Sequence, residues 1–133
     1  MGSGKIHSHS KGAKSTYTHL QIRIAETSTE IASAQLLMRQ ILDVGRSEGP
    51  ITMDQRMQNH RNFASIAQLC LRAIERIYTS SGGNANYESH PLQRYWRDIH
   101  AMSAHAAIGF DTAGETFGLH ELGLPRNPRD IFV

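Results

Sequence analysis

"TYTHLQIRIAETSTEIASAQLLMRQILDV", residues 16–44, sets the fold class. Its apolar positions Leu20, Ile24, Ile31, Met38 and Ile41 recur at steps of three and four, and Thr27 and Ala34 fill the missing steps. That rhythm is the stripe of a long amphipathic helix in a bundle. Ile22, Leu36, Leu37 and Leu42 widen the stripe, which predicts contacts on more than one side.

Working outward, "GRSEGP", residues 45–50, is a glycine-rich turn closed by proline. Thr52 then reads as the N-cap of a second helix, with Asp54 well placed against its N-terminal dipole. The second stripe is Met53, Met57, Phe63, Ile66, Ala67, Cys70, Ile74, Ile77 and Tyr78. "SSGGNANYES", residues 80–89, ends it, because Gly82 or Gly83 can adopt the left-handed conformation favoured at helix C-termini. Pro91 suits the first turn of a third helix, expected to run through Ile108 and to be broken by Gly109. A fourth is expected from about Asp111 to Leu122. Nothing alternates at period two. The expectation is an all-α domain over 16–125, an up-and-down bundle of about four helices, two long and two short. A flexible basic segment, 1–15, precedes it and an irregular tail, 126–133, follows it.

Composition narrows the class. At 133 residues the chain is one domain large enough to bury a core. A lone cysteine, Cys70, cannot form an internal disulfide, and no apolar stretch approaches the ~20 residues that span a bilayer. The chain reads as soluble and cytoplasmic. Its net charge of +2 has an address: Lys5, Lys11 and Lys14 lie in an opening segment without acids. Of 14 basic residues, 11 remain beyond it, against 12 acidic ones. No basic stripe remains to hold nucleic acid.

"RYWRDIHAMSAHAAIGFD", residues 94–111, concentrates the polar chemistry. Arg94, Arg97 and Asp98 share a helix flank, where a solvated ion pair of ~0.3–0.5 kcal/mol is the plain reading. His100 and His105 are five apart, ~140° around a helix, whereas metal ligands on one helix sit at i, i+3 or i, i+4. No cysteine or carboxylate cluster completes a zinc site. A histidine beside Ala101, Ala104, Ala106 and Ala107 is ordinarily a packed residue, although alanines leave room for a close neighbour or a flat ligand. "SSGG", Ser80 to Gly83, lacks the lysine and the preceding strand of a P-loop, so a helix cap is the better reading. His7 and His9 are too few for a metal site.

Read whole, "YTSSGGNANYESHPLQRYWRDIHAMSAHAAIGFDTAGETFGLHELGLP", residues 78–125, is more specific. It resembles the C-terminal helical domain of flavin-dependent monooxygenases built on the acyl-CoA dehydrogenase fold, the oxygenase components of two-component aromatic hydroxylases. The family pattern is a Gly-Gly turn, a segment like "NPLQRxWRDxHAxxAH", and a short helix ending in "GLP". Here His90 stands for the usual Asn. "AETSTEIASAQLLM" resembles the family's opening helix, which extends the likeness over about Thr16 to Pro125.

The resemblance implies that a flavin reductase supplies reduced FMN or FAD, which reacts with oxygen and passes one oxygen atom to an aromatic or a heteroatom. It implies a histidine near the flavin's reactive edge: His105 first, His100 second. The turn of Ser80, Ser81, Gly82 and Gly83 resembles one that approaches flavin phosphates, often across a subunit interface. Arg94, Arg97 and Asp98 are expected to tie their helix to its neighbours. The family's tetramer is built largely on these helices, which predicts a homo-oligomer.

Two departures matter. Many acyl-CoA dehydrogenases place a catalytic glutamate just after this helix, where this chain has "AHAAIGF". That favours the monooxygenase branch. The family also carries an N-terminal helical domain and a β-domain, to be supplied by missing segments or a partner chain, so these 133 residues are expected to be inactive alone. The alternatives are a non-catalytic helical oligomerisation module or a domain of an acyl-CoA dehydrogenase.

Overall fold

The computed structural model describes residues 17–131. The expected properties of the basic opening segment, with His7 and His9, fall outside the described residues. Among the described residues the fold is made of four α-helices: α1 (Thr18–Arg46), α2 (Met53–Ser80), α3 (Pro91–Ser103) and α4 (Phe110–Glu121). Two 3-10 turns, Gly83–Asn86 and Ala106–Ile108, join α2 to α3 and α3 to α4. No strand occurs among the described residues.

The expected start of α2 holds in detail. Thr52 accepts a hydrogen bond from the Gln55 backbone N–H at 3.2 Å, and the Gln55 side chain accepts from Thr52 N–H at 2.9 Å. This reciprocal capping box satisfies two donors that a helix start otherwise leaves unpaired. At its other end Gly82 has φ +74° and ψ −170°. The positive φ was expected, but the ψ is extended rather than helical, a region essentially confined to glycine.

Helix α2 is the hub, with α1, α3 and α4 all packed on it. Glu30 with Arg72 and Arg76, and Gln40 with Asn62, show α1 running antiparallel to it. Glu75 meets Trp96, which places α3 along the C-terminal half of α2. Asp54 meets His120, and Arg61 lies 4.3 Å from the Phe117 ring centre, which places α4 along the N-terminal half. The chain thus reverses after α1 and after α2, whereas α3 and α4 follow one another along the same neighbour. Residues 104–109 form the joint between them.

The hub arrangement explains which apolar positions are buried. On α1 the covered line is Thr27, Ala34 and Ile41. Ile24, at 67% exposure, and Ile31 belong to the same predicted stripe but are left exposed. On α2 the buried set is Met57, His60, Asn62, Ala64 and Ala73, while Phe63 and Ile77 of the predicted stripe are exposed. The alanines of this set, Ala34, Ala64 and Ala73, suit close approach of neighbouring helices, while Met57 is a large side chain that is fully buried.

Polar bonds fix the register between α1 and α2. Arg76 donates from both terminal nitrogens to the Glu30 carboxylate, at 2.5 and 3.0 Å, and Arg72 Nε adds a bond at 3.1 Å. The bidentate Arg76 bond, with that of Arg72, holds the Glu30 carboxyl below its ordinary 4.5, against the opposing pull of desolvation. The unfolded chain therefore binds this proton more readily. The stabilisation is whole above pH 4.5 and is lost as pH falls through the lowered folded value. Urea unfolding across that acid window should show a shallower loss of stability for Glu30→Gln than for the parent.

Residues 126–131 form no helix or strand, yet they are tied to the bundle. Asp130 is 5% exposed and accepts a hydrogen bond from the hydroxyl of Thr116, itself buried in α4. Asp130→Ala would leave that hydroxyl buried and unpaired, a loss of about 1–3 kcal/mol in urea unfolding.

Candidate functional site

The predicted third helix stops five residues early. Alanines at 104, 106 and 107 are good helix formers, so intrinsic preference favours continuation. Instead α3 ends at Ser103, whose hydroxyl donates to the His100 carbonyl at 3.0 Å. His105 is extended, at φ −71° and ψ 128°, and its Nδ1 accepts the backbone N–H of Ala107 at 3.2 Å. The side chain thereby caps the next turn, and Ile108 reaches the apolar contact below. His105 is therefore off the helix, and the 140° separation expected between it and His100 does not describe the folded chain.

This bond has chemical content. A backbone N–H can only donate, so Nδ1 of His105 is an acceptor, and in the neutral ring Nε2 carries the hydrogen. The ring is exposed among Ala104 and Ala106, also exposed. The joint thus offers an N–H donor with small residues on either side. Beneath it lies a cavity of about 280 Å³ lined mainly by apolar side chains, among them Met38 of α1, Phe63 and Cys70 of α2, Ile99 and Met102 of α3, and Ile108. Burial pushes the Cys70 thiol up from its ordinary 9.0, which keeps it protonated and apolar in this lining.

His100 is differently placed. Its Nδ1 lies 2.8 Å from the Trp96 carbonyl oxygen and its Nε2 lies 2.8 Å from Oε1 of Glu75. Both ring nitrogens face acceptors within the domain. The Trp96 ring packs on it at 4.0 Å between centres, and the indole N–H donates to the same Glu75 oxygen at 2.8 Å. Tyr78 closes the cluster, 5.3 Å from Trp96.

Sequence reasoning missed Glu75, which sits 21 residues before Trp96 with no local pattern to single it out. It also gave Arg94, Arg97 and Asp98 a tying role. Arg94 and Asp98 are 3.6 Å apart with exposed side chains, a solvated pair on the free flank of α3. The tie between α3 and α2 is made by Trp96 and His100 instead.

The Ser80–Gly83 turn lies at the other end of α3, a helix of 13 residues and so about 20 Å long. The Ser80 and Ser81 hydroxyls donate to the carbonyls of Arg76 and Ile77, at 2.7 and 2.8 Å. Ser80 and Ser81 line a groove of about 460 Å³ with Arg23, Ile24, Asn84 and His90. Gly83 has open space where a Cβ would stand. The structure does not bring this turn and His105 into one pocket. Among the described residues no group of three or more His, Cys, Asp or Glu side chains could hold a metal ion. No helix there is long and apolar enough to cross a membrane.

Comparison with known proteins gives this geometry a context. The family described as acyl-CoA dehydrogenase, C-terminal domain, matches residues 3–110. The oxygenase component of an FADH(2)-dependent resorcinol hydroxylase from a Rhizobium species is 32% identical over 79% of this chain and 28% of its own length. The HsaA oxygenase subunit of a flavin-dependent monooxygenase from Mycobacterium tuberculosis is 33% identical, over 85% of this chain and 29% of its own. The crystal structure of HsaA from that organism superposes with a TM-score of 0.77 at 29% identity, covering 90% of this chain and 32% of that one. The chain thus spans less than a third of the length of these relatives.

Proposed function

The chain belongs to the acyl-CoA dehydrogenase C-terminal domain family, and on that premise we propose that it is the C-terminal domain of the oxygenase component of a two-component flavin-dependent monooxygenase. The observation that carries this reading is the joint between α3 and α4. Residues 104–110 hold His105 and no carboxylate, so the glutamate that would remove a proton α to a thioester carbonyl in a dehydrogenase has no counterpart there. What stands there is an exposed imidazole with its Nδ1 already committed.

The residues fit a flavin as one wall of its site. Ala104 and Ala106 leave room for a flat ring, and His105 Nε2–H can donate to an oxygen held beside it. A bound reduced flavin, FMN or FAD, would supply with dioxygen the oxygen atom that is transferred. His105 would steady negative charge developing on oxygen, as a preorganised donor does in a dry site. The apolar cavity beneath the joint would support it by excluding water. His100, with both nitrogens engaged, is better suited to holding α3 than to exchanging protons.

The turn of Ser80, Ser81, Gly82 and Gly83, about 20 Å from His105, would serve the flavin phosphates of a neighbouring subunit. That division needs an oligomer. At ~100° per residue the exposed Ile24, Ile31 and Leu42 form one line on α1, and Ile22 and Leu36 form another more than 90° away. Two uncovered lines suit the two interfaces of a closed tetramer. The partners are further copies of the chain, the N-terminal and β-domain segments, and a flavin reductase, all in the cytoplasm.

The test uses a complete protein containing this domain. Supplied with NADH, a flavin reductase and a panel of phenols, it should form hydroxylated product only when the reductase is present. Acyl-CoA substrates with an artificial electron acceptor should give no turnover, and the opposite pattern would make the domain part of a dehydrogenase.

A further inference from the structure

We propose that Glu75 is a positioning residue for His105, acting from α2 through the last turn of α3; its functional importance rests on the reading of His105 given above. A single carboxylate oxygen, Oε1, accepts the Trp96 indole N–H and meets His100 Nε2, each at 2.8 Å. The other nitrogen of His100 is held 2.8 Å from the Trp96 carbonyl. An apolar contact would hold α3 against α2 just as firmly, but it would let α3 rotate and slide. Two directional bonds from one oxygen fix its rotation and its axial register.

The hold extends to the joint through consecutive short contacts. The His100 carbonyl accepts from the Ser103 hydroxyl at 3.0 Å and from the Ala104 N–H at 3.2 Å. The next link is the His105 N–H, which donates to the Met102 carbonyl at 3.1 Å. His105 then sets its own ring by accepting from Ala107. Displacing the last turn of α3 therefore moves the backbone from which His105 hangs. Glu75 is 30 residues away in sequence and touches none of the joint itself. It is a distant residue with authority over the position of the imidazole.

The test begins in the 133-residue chain, where Trp96 is the only tryptophan and its indole N–H gives a unique resonance. Glu75→Ala should speed hydrogen exchange at that indole and at the Ala107 amide by about tenfold, the scale of a lost bond to a charged group. Glu75→Gln, which keeps an oxygen acceptor, should fold with unchanged helicity and retain most of both protections. Release of the indole with no change at Ala107 would overturn the proposal, as would an indole that Glu75→Ala leaves protected.

In the complete enzyme, Glu75→Ala should lower product formed per reduced flavin consumed to less than about half, with flavin affinity unchanged and partial rescue by Glu75→Gln. Retained coupling in a variant whose Ala107 amide has lost protection would overturn the link to function. If the exchange results hold and His105→Ala leaves coupling intact, the functional reading of His105 fails while the hold of Glu75 on the joint stands.

Discussion

Replacing His105 with alanine in the complete enzyme should lower coupled hydroxylation about a hundredfold, the scale seen when one preorganised hydrogen-bond donor is removed from a reacting oxygen. Reduced flavin should still be oxidised, with oxygen appearing as hydrogen peroxide in place of product. The geometry sharpens this expectation. Nδ1 is occupied by the Ala107 N–H, so the neutral ring acts through Nε2–H as a donor. His105→Asn, which keeps an N–H donor on a shorter side chain, should recover part of the coupling, whereas His105→Phe should recover none. His105→Ala and His105→Phe should also lose the cap on Ala107, about 0.5–2 kcal/mol in urea unfolding, and the exposed ring adds little beyond that. Measuring product and peroxide in the same reaction separates loss of coupling from loss of flavin binding.

The second large effect is expected on assembly. Ile24→Glu with Ile31→Glu removes two apolar side chains from one uncovered line of α1. Across a two-fold interface each loss counts twice, and at ~1.5 kcal/mol or more per buried side chain the four losses reach about 6 kcal/mol. That corresponds to about four decades in the dissociation constant. The proposed tetramer should fall to dimers by light scattering, with helicity intact because neither residue is in the core. Leu36→Glu, on the other line and 58% exposed, should weaken the second interface separately. All three changes together should give monomers. Unchanged mass for the triple variant would remove α1 from the assembly surface.

The helices were largely legible because the period of three and four persists over α1 and α2, and because Thr52, Pro91 and the Gly82 turn are local signals. The burial pattern was less so. An amphipathic stripe says which residues are apolar, but not which edge of the stripe a neighbour covers; α2 covers Thr27, Ala34 and Ile41 and leaves Ile24 and Ile31 exposed. That choice is made by packing between elements distant in sequence.

The joint at 104–109 shows the opposite failure. Local preference pointed to a continuous helix through the alanines, and a histidine cap together with the partial burial of Ile108 overrode it. His105 was singled out through a family likeness, since spacing alone read it as a packed residue. Glu75 could not be found in that way, because its two bonds exist only once α3 has been laid against α2. The serines of the Gly-Gly turn were legible as candidates, while the use of their hydroxyls to cap carbonyls of α2 was not.

The most direct test of the account is oxygen-isotope incorporation by a complete protein carrying this domain, given chemically reduced FMN or FAD and a phenol under ¹⁸O₂. One labelled oxygen atom per molecule of hydroxylated product is expected, with the label lost to peroxide when His105 is replaced by alanine. Product without the label, or a full label that is indifferent to His105→Ala, would contradict it.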